Sequence, residues 1–132
     1  MKSIVLLLAC ACVAVPAHAQ QPPSQPFALK QIAPELPKGD GLEVRVRSGT
    51  VAPGAVGPWH THPAPPIVYV IEGTLSIEEK DKGVVEHKAG EAFIEPINTP
   101  IRAMNKGQTL VKTVIFQVSP PDLPDAVPAP SQ

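Results

Sequence analysis

Apolar and polar residues alternate in short segments along the middle of the chain, and the segment that begins at Leu42 is the clearest case. Val44 and Val46 follow Leu42 at intervals of two, with charged residues between them. Because successive side chains of a strand point to opposite faces, this pattern predicts a half-buried strand with the three apolar side chains inward. Arg45 and Arg47 would then stand on the solvent-facing side.

Glycine, proline and asparagine separate further segments of the same kind. Strands are predicted at residues 67–71, 74–79, 84–88, 92–95, 101–105 and 109–118. No window shows apolar residues spaced by three and four over the length of a helix. Short strands at regular intervals, with turn residues between them, predict an all-β sandwich or barrel.

The start of the chain has the features of an export signal. Lys2 precedes an apolar run over residues 4–15, and Ala17-His18-Ala19 forms a small-x-small cleavage site. We therefore expect residues 1–19 to be removed and the protein to be periplasmic or secreted. A lipoprotein signal ending at Cys10 is the alternative, although the apolar stretch before this cysteine is short. A transmembrane anchor would need about 18 uninterrupted apolar residues.

Proline-rich segments lie on both sides of the predicted strands. Proline has no backbone donor for a sheet ladder, so such segments favour extended or disordered chain. We interpret residues 20–38 as an N-terminal arm and residues 119–132 as a flexible tail. Residues 39–118 then form a single domain.

Composition narrows the possible partners. Both cysteines, Cys10 and Cys12, lie in the predicted signal, so the processed protein has no thiol for a disulfide or a metal site. Loss of the signal also removes Lys2 and moves the formal net charge from −1 to −2. So small a charge predicts no binding to nucleic acid or to a membrane surface, and favours a small molecule, a metal or another protein.

Two histidines stand out as candidate metal ligands. His60 and His62 are two residues apart and directly precede a predicted strand, so on extended chain their side chains project side by side. Two solvated imidazoles in a proline-rich loop are the alternative. His87 lies beside a turn, away from this pair, and we interpret it as a structural or surface residue, with a ligand role as the weaker alternative.

The spacing of these residues resembles that of the cupin superfamily. The first motif would comprise Gly54, His60, His62 and Glu72-Gly73, and the second would comprise Gly90-Glu91, Pro96 and Asn105. The resemblance implies a jelly-roll barrel, a homodimer formed through the sheets, and a divalent metal inside the barrel. Two positions depart from the usual pattern, because Pro66 replaces a glutamate ligand and Ile101 replaces a third histidine.

Glu95 is the candidate for the missing third ligand. It shares a strand face with Phe93, directed toward the barrel interior, and a buried carboxylate requires a partner. If Glu95 meets His60 and His62, two imidazoles and one carboxylate suit iron(II), manganese or zinc. The alternative is a cupin without metal, in which Glu95 turns to solvent.

Two aromatic residues are candidates for the wall of the binding pocket. Trp59 and Tyr69 are expected near its mouth, where they would stack on a flat ligand; the alternative is a core position.

We therefore expect an exported cupin that holds a divalent metal and binds or acts on a small oxygenated molecule. As an enzyme it would carry out oxygenation, isomerisation or decarboxylation. A metal-free binding module and a structural domain are the alternatives.

Overall fold

The computed structural model describes residues 26–129, and the predicted signal and the start of the arm lie outside this range. The described chain is all β, as predicted. Its strands are β1 (Glu43–Val51), β2 (His60–Thr61), β3 (Pro66–Glu72), β4 (Thr74–Glu79), β5 (Gly83–Lys88), β6 (Ala92–Ile94), β7 (Ile101–Met104), β8 (Val111–Ser119) and β9 (Val127–Pro128). Within residues 26–129, no helix is long and apolar enough to cross a membrane.

The strands form two sheets that face each other as a jelly roll. One sheet has the order β1-β8-β3-β6 and the other has the order β5-β4-β7-β2-β9, with antiparallel neighbours throughout. Gly73 carries the chain from β3 in the first sheet to β4 in the second. Its φ is 81°, and a Cβ at this position would lie 2.9 Å from the Leu110 carbonyl oxygen, which explains why glycine is needed there.

The apolar core lies between the two sheets. It contains Val68 and Val70 of β3, Leu75 and Ile77 of β4, Ile101 of β7 and Val111 of β8. Ile101 is fully buried in this cluster. Burial of such a side chain stabilises the fold by about 1.5–3 kcal/mol. At the position where many cupins have a histidine ligand, this chain therefore has a packing residue.

The predicted inward face of β1 was wrong. Val44 and Val46 are 66% and 58% exposed, whereas the Arg45 side chain is mostly covered. Alternation shows that the two sets of side chains face opposite ways, but not which set faces the interior. Arginine occupies the inner face because the chain after β8 supplies it with partners.

Residues 120–129 fold back over one end of the barrel. Arg45 donates hydrogen bonds to the carbonyl oxygens of Pro120, Pro121 and Leu123 and to the carboxylate of Asp125. Hydrogen bonds with Asp125, and then with Glu43, raise the pKa of Arg45. β9 then pairs with β2. This placement differs from the predicted flexible tail, because proline content does not reveal acceptors on the preceding barrel.

His87 has a structural place, as the sequence suggested. Its ring stacks on Phe93 with centroids 3.6 Å apart and an interplanar angle of 9°. Burial lowers the pKa of His87 below its ordinary value of 6.5, and the charges of Glu91 and Glu95 oppose this effect more weakly.

This lowered pKa makes stability depend on pH. Above about pH 6.5, His87 is neutral in both states and its full contribution to stability is present. Below that pH the unfolded chain takes up the proton first, so the free energy of unfolding should fall until the lower folded pKa is passed. In His87→Phe, which keeps a stacked ring, this part of the pH dependence should disappear. Urea unfolding of both proteins on either side of about pH 6.5 tests this, and parallel profiles would contradict it.

The contacts of Arg45 predict how residues 120–129 are held. In Arg45→Gln, most of the hydrogen bonds to this segment are lost, and amide hydrogen exchange at Leu123 and Ala129 should become faster. Lys112→Gln removes the same charge from an exposed pair with Glu72 and should leave these rates unchanged. Equal exchange rates in wild type and Arg45→Gln would show that other contacts hold the segment.

Candidate metal and ligand site

His60 and His62 lie at the junction of three strands. In β2, His60 is paired with Ile101 of β7 on one side and with Pro128 of β9 on the other. His62 follows directly and forms a bridge with Ile97. Sheet pairing on both sides therefore fixes the backbone of the two histidines, and residues two apart project side by side.

Backbone carbonyl groups determine which ring nitrogen of each histidine carries a proton. Nδ1 of His60 lies 3.0 Å from the carbonyl oxygen of Pro58, and Nδ1 of His62 lies 2.7 Å from that of Asp125. A carbonyl oxygen only accepts, so each Nδ1 must donate. In the neutral imidazoles, both Nε2 atoms are consequently left with a lone pair.

These two Nε2 atoms face each other and a carboxylate. They are 3.1 Å apart, and Nε2 of His62 is also 3.0 Å from Oε2 of Glu95. His62 is 1% exposed and Glu95 is 8% exposed. Three hydrogen-bond acceptors thus lie in a row from the half-buried His60 through the buried His62 to the buried Glu95, an arrangement that requires either a shared proton or a bound cation.

The donor set fits a divalent metal in its chemistry. Imidazole Nε2 with Nδ1 held by a carbonyl is the usual form of a histidine ligand, and a carboxylate completes a common mixed set. Neighbouring nitrogen ligands of tetrahedral zinc stand about 3.4 Å apart, given bonds of about 2.0–2.1 Å. The observed separations are a few tenths of an ångström shorter. Within residues 26–129, no group of three or more His, Cys, Asp or Glu side chains is spaced to hold a metal ion.

Glu95 reaches His62 because of its position just after β6. Its backbone amide donates to the carbonyl oxygen of Pro66 at 3.0 Å, which ties the end of β6 to the start of β3. Pro66 is buried and stands where many cupins have a glutamate ligand. The structure thus places Glu95 against His62, and His62 against His60. Their joint role as metal ligands stays a prediction.

These residues open onto a cavity of about 470 Å³ inside the barrel. This volume is within the range of small-molecule sites. The wall includes Trp59, whose ring has the guanidinium carbon of Arg102 4.7 Å from its centroid. Arg102 also donates to Glu78 at 2.6 Å, which holds its guanidinium beside the ring.

Tyr69 does not line the cavity, and the expectation that it would was wrong. In β3, Val68 and Val70 are 1% and 0% exposed, so the intervening Tyr69 must point to the opposite face. It is 37% exposed on the outside of the four-stranded sheet. Its aromatic character suggested stacking, but strand parity decides its direction.

Sequence reasoning missed the contribution of the chain after β8. Asp125 supplies the carbonyl partner of His62, and Ala126 and Pro128 form part of the cavity wall. Nε2 of the buried Gln117 lies 3.4 Å from the same carbonyl oxygen. One feature of the sequence could have indicated this contact. Asp125 is a negatively charged residue in a proline-rich segment, and its carboxylate lies against Arg45 and Arg47 of β1.

A family model described as "Cupin domain" matches residues 48–116. A comparison with curated proteins found no match. Among solved structures, a conserved protein with a double-stranded beta-helix domain from Klebsiella pneumoniae subsp. pneumoniae MGH 78578 is 25% identical, and the match covers 67% of this chain and 71% of that one, with a TM-score of 0.56.

Two structures of named enzymes are also similar. The polyketide cyclase RemF from Streptomyces resistomycificus is 20% identical, with 67% of this chain and 62% of the cyclase covered and a TM-score of 0.58. A structure of the DMSP lyases RdDddP and RnDddQII is 21% identical, with 66% and 44% covered and a TM-score of 0.57. The chain spans less than two thirds of both enzymes, and at these identities the likeness concerns the fold.

The family match includes both histidines, Glu95 and strands β2 to β7, while β9 lies outside it. The two-sheet jelly roll agrees with the double-stranded beta-helix of the Klebsiella protein. The chain belongs to the cupin family.

Proposed function

We propose that the barrel binds a divalent metal ion through His60, His62 and Glu95, and that it binds or transforms a small oxygenated molecule beside this ion. Iron(II), manganese and zinc suit two imidazoles and a carboxylate. Because residues 1–19 resemble an export signal, we also propose that the protein works in the periplasm or outside the cell.

The observation that carries this proposal is the direction of the histidine protons. Both Nδ1 groups are committed to carbonyl oxygens, so Nε2 of His62 faces Nε2 of His60 and a carboxylate oxygen of Glu95 without a donor among the three atoms. A cation at this point would satisfy all three acceptors together. A proton on one Nε2 would satisfy the same atoms with one positive charge instead of two.

The residues around the donors leave room for a substrate. Ile101 and Pro66 replace two usual ligands with side chains that cannot bind metal, so three protein donors would leave positions open. A bound divalent metal would supply a Lewis acid for a coordinated oxygen or lower the pKa of a bound water. The chain itself would orient the substrate against Trp59 and keep bulk water from His62 and Glu95.

A metal-free binding module is the second candidate function. The separations of 3.1 Å and 3.0 Å around Nε2 of His62 favour it, because they match hydrogen bonds from a single proton. In that case His62 would be an imidazolium buried against Glu95, and the cavity would hold its ligand without an ion.

Metal content separates these two functions. Near-stoichiometric iron, manganese or zinc is expected in the native protein by mass spectrometry. His60→Ala and Glu95→Gln should each weaken metal affinity by about 100-fold or more, since even outer partners of ligands are worth 10–100-fold. His87→Phe removes a histidine outside the site and should retain full metal content.

The outcome that would overturn the metal proposal is a native protein without metal that also takes up none of the three ions. Loss of metal in His60→Ala but not in Glu95→Gln would remove Glu95 from the ligand set.

The intact mass of the same native sample tests export, since removal of residues 1–19 leaves Gln20 as the first residue. A mass that includes the first 19 residues would contradict it.

We propose further that the protein forms a homodimer through the outer face of the four-stranded sheet. Large apolar side chains are exposed on this face: Val44 66%, Val46 58%, Ile71 50%, Phe116 40% and Tyr69 37%. Register places Val46 opposite Phe116, and Phe116 opposite Ile67, so these side chains form one continuous surface. Contiguous apolar surface of this kind is costly in water and marks a contact surface.

A matched pair of valines tests the dimer. Val46→Lys places a charge on the outer face and should convert a dimer into a monomer in size-exclusion chromatography with light scattering. Val85→Lys is the control, because Val85 is 59% exposed on β5 of the other sheet. A monomeric wild type, or a dimer disrupted only by Val85→Lys, would contradict this choice of face.

A further inference from the structure

Arg47 places one positive charge on the wall of the cavity. β1 runs along β8, with Arg47 paired with Ile115 and Gly49 with Thr113. Side chains at intervals of two share a face, so Arg47 lies on the same side as Val51, and both line the cavity. The sequence had suggested a solvated outer position for this arginine; its side chain is 46% exposed, but it lies on the cavity side of the sheet.

Arg47 differs from its neighbour Arg45 in having no committed partners. Among the described residues, the guanidinium of Arg47 makes no hydrogen bond, and its nearest acidic atom is Oδ2 of Asp125 at 3.9 Å. The other oxygen of that carboxylate accepts from Arg45, which also binds Glu43 and the carbonyl groups after β8. Asp125 is thus largely engaged elsewhere, and the donors of Arg47 are available to a ligand.

The rest of the wall is mostly apolar. Val51, Leu75 and Ile115 lie on it together with the ring of Trp59. Among the described residues of the wall, Arg47 is the one lysine or arginine, and the carboxylate of Glu95 lies 3.0 Å from Nε2 of His62. The cavity therefore has one positively charged side chain that could bind an anion, and its other walls are mostly apolar.

We propose that the cavity binds small organic monocarboxylates with an apolar body, and that Arg47 holds the carboxylate and determines this specificity. The inference rests on the proposed function in that the same cavity holds the ligand, but it does not require the metal. The planar guanidinium donates two parallel hydrogen bonds to a carboxylate. A phosphate ester would carry about two charges to one arginine in an otherwise apolar pocket, and is disfavoured.

Benzoate and benzyl alcohol are suitable probes, since they share an aromatic body and differ in charge. Titration calorimetry on the mature protein should show tighter binding of benzoate. Arg47→Gln should weaken benzoate binding about tenfold or more and leave benzyl alcohol unchanged, because the lost bonds are charge-assisted. Arg47→Lys keeps the charge but cannot donate two parallel hydrogen bonds, and it should give an intermediate affinity. Lys112→Gln removes an equal charge outside the cavity and should behave as wild type.

Each titration is carried out with metal-loaded protein and with protein treated with a chelator. Preference for benzoate that depends on Arg47 in both samples supports the inference, even where no metal binds and the metal proposal fails. Benzoate binding that is lost with the metal and is insensitive to Arg47→Gln would overturn it, since the carboxylate would then bind the ion. Equal affinity for the two probes in wild type would also overturn it. Thermal unfolding of each variant excludes loss of fold as the cause.

Discussion

The candidate site depends on the hydrogen bond from Nδ1 of His62 to the carbonyl oxygen of Asp125. This bond of 2.7 Å sets the tautomer of a buried ring and directs its Nε2 toward His60 and Glu95. Without it, His62 would be free to protonate Nε2 and bind Glu95 as an ordinary hydrogen-bonded pair. A single main-chain carbonyl, 63 residues away in sequence, thus decides what the three acceptors are able to bind.

The departures from the usual cupin pattern form a consistent set. Ile101 belongs fully to the apolar core, where a histidine would need a polar partner. Pro66 and Ile101 have no side chain that could bind a metal, whereas Glu95, just after β6, has its carboxylate 3.0 Å from Nε2 of His62.

The sequence was sufficient for the fold class and most strand positions, while the role of His60, His62 and Glu95 as metal ligands stays a prediction. Alternation with period two located the strands, and the cost of burying a carboxylate identified Glu95. The direction of β1 and the place of Tyr69 failed for different reasons. The inner face of β1 depends on contacts with the distant residues 120–125, whereas Tyr69 points outward because its neighbours Val68 and Val70 are buried. The proline content of residues 120–129 predicts how this segment would behave on its own. It gives no information about the hydrogen bonds that the segment accepts from Arg45.

The contact between β2 and β9 also has a consequence for the order of folding. Strand β2 begins at residue 60 and its partner at residue 127, so this pairing closes one of the longest loops in the domain. Contacts of such sequence separation form late, because the chain entropy of the loop is lost before they contribute stability. The imidazole of His62 would acquire its final tautomer only when the barrel is otherwise complete. Only the completely folded barrel would then have the site in its final form. Partly folded chains would have the same residues, but their imidazole protons would not be fixed in the same positions.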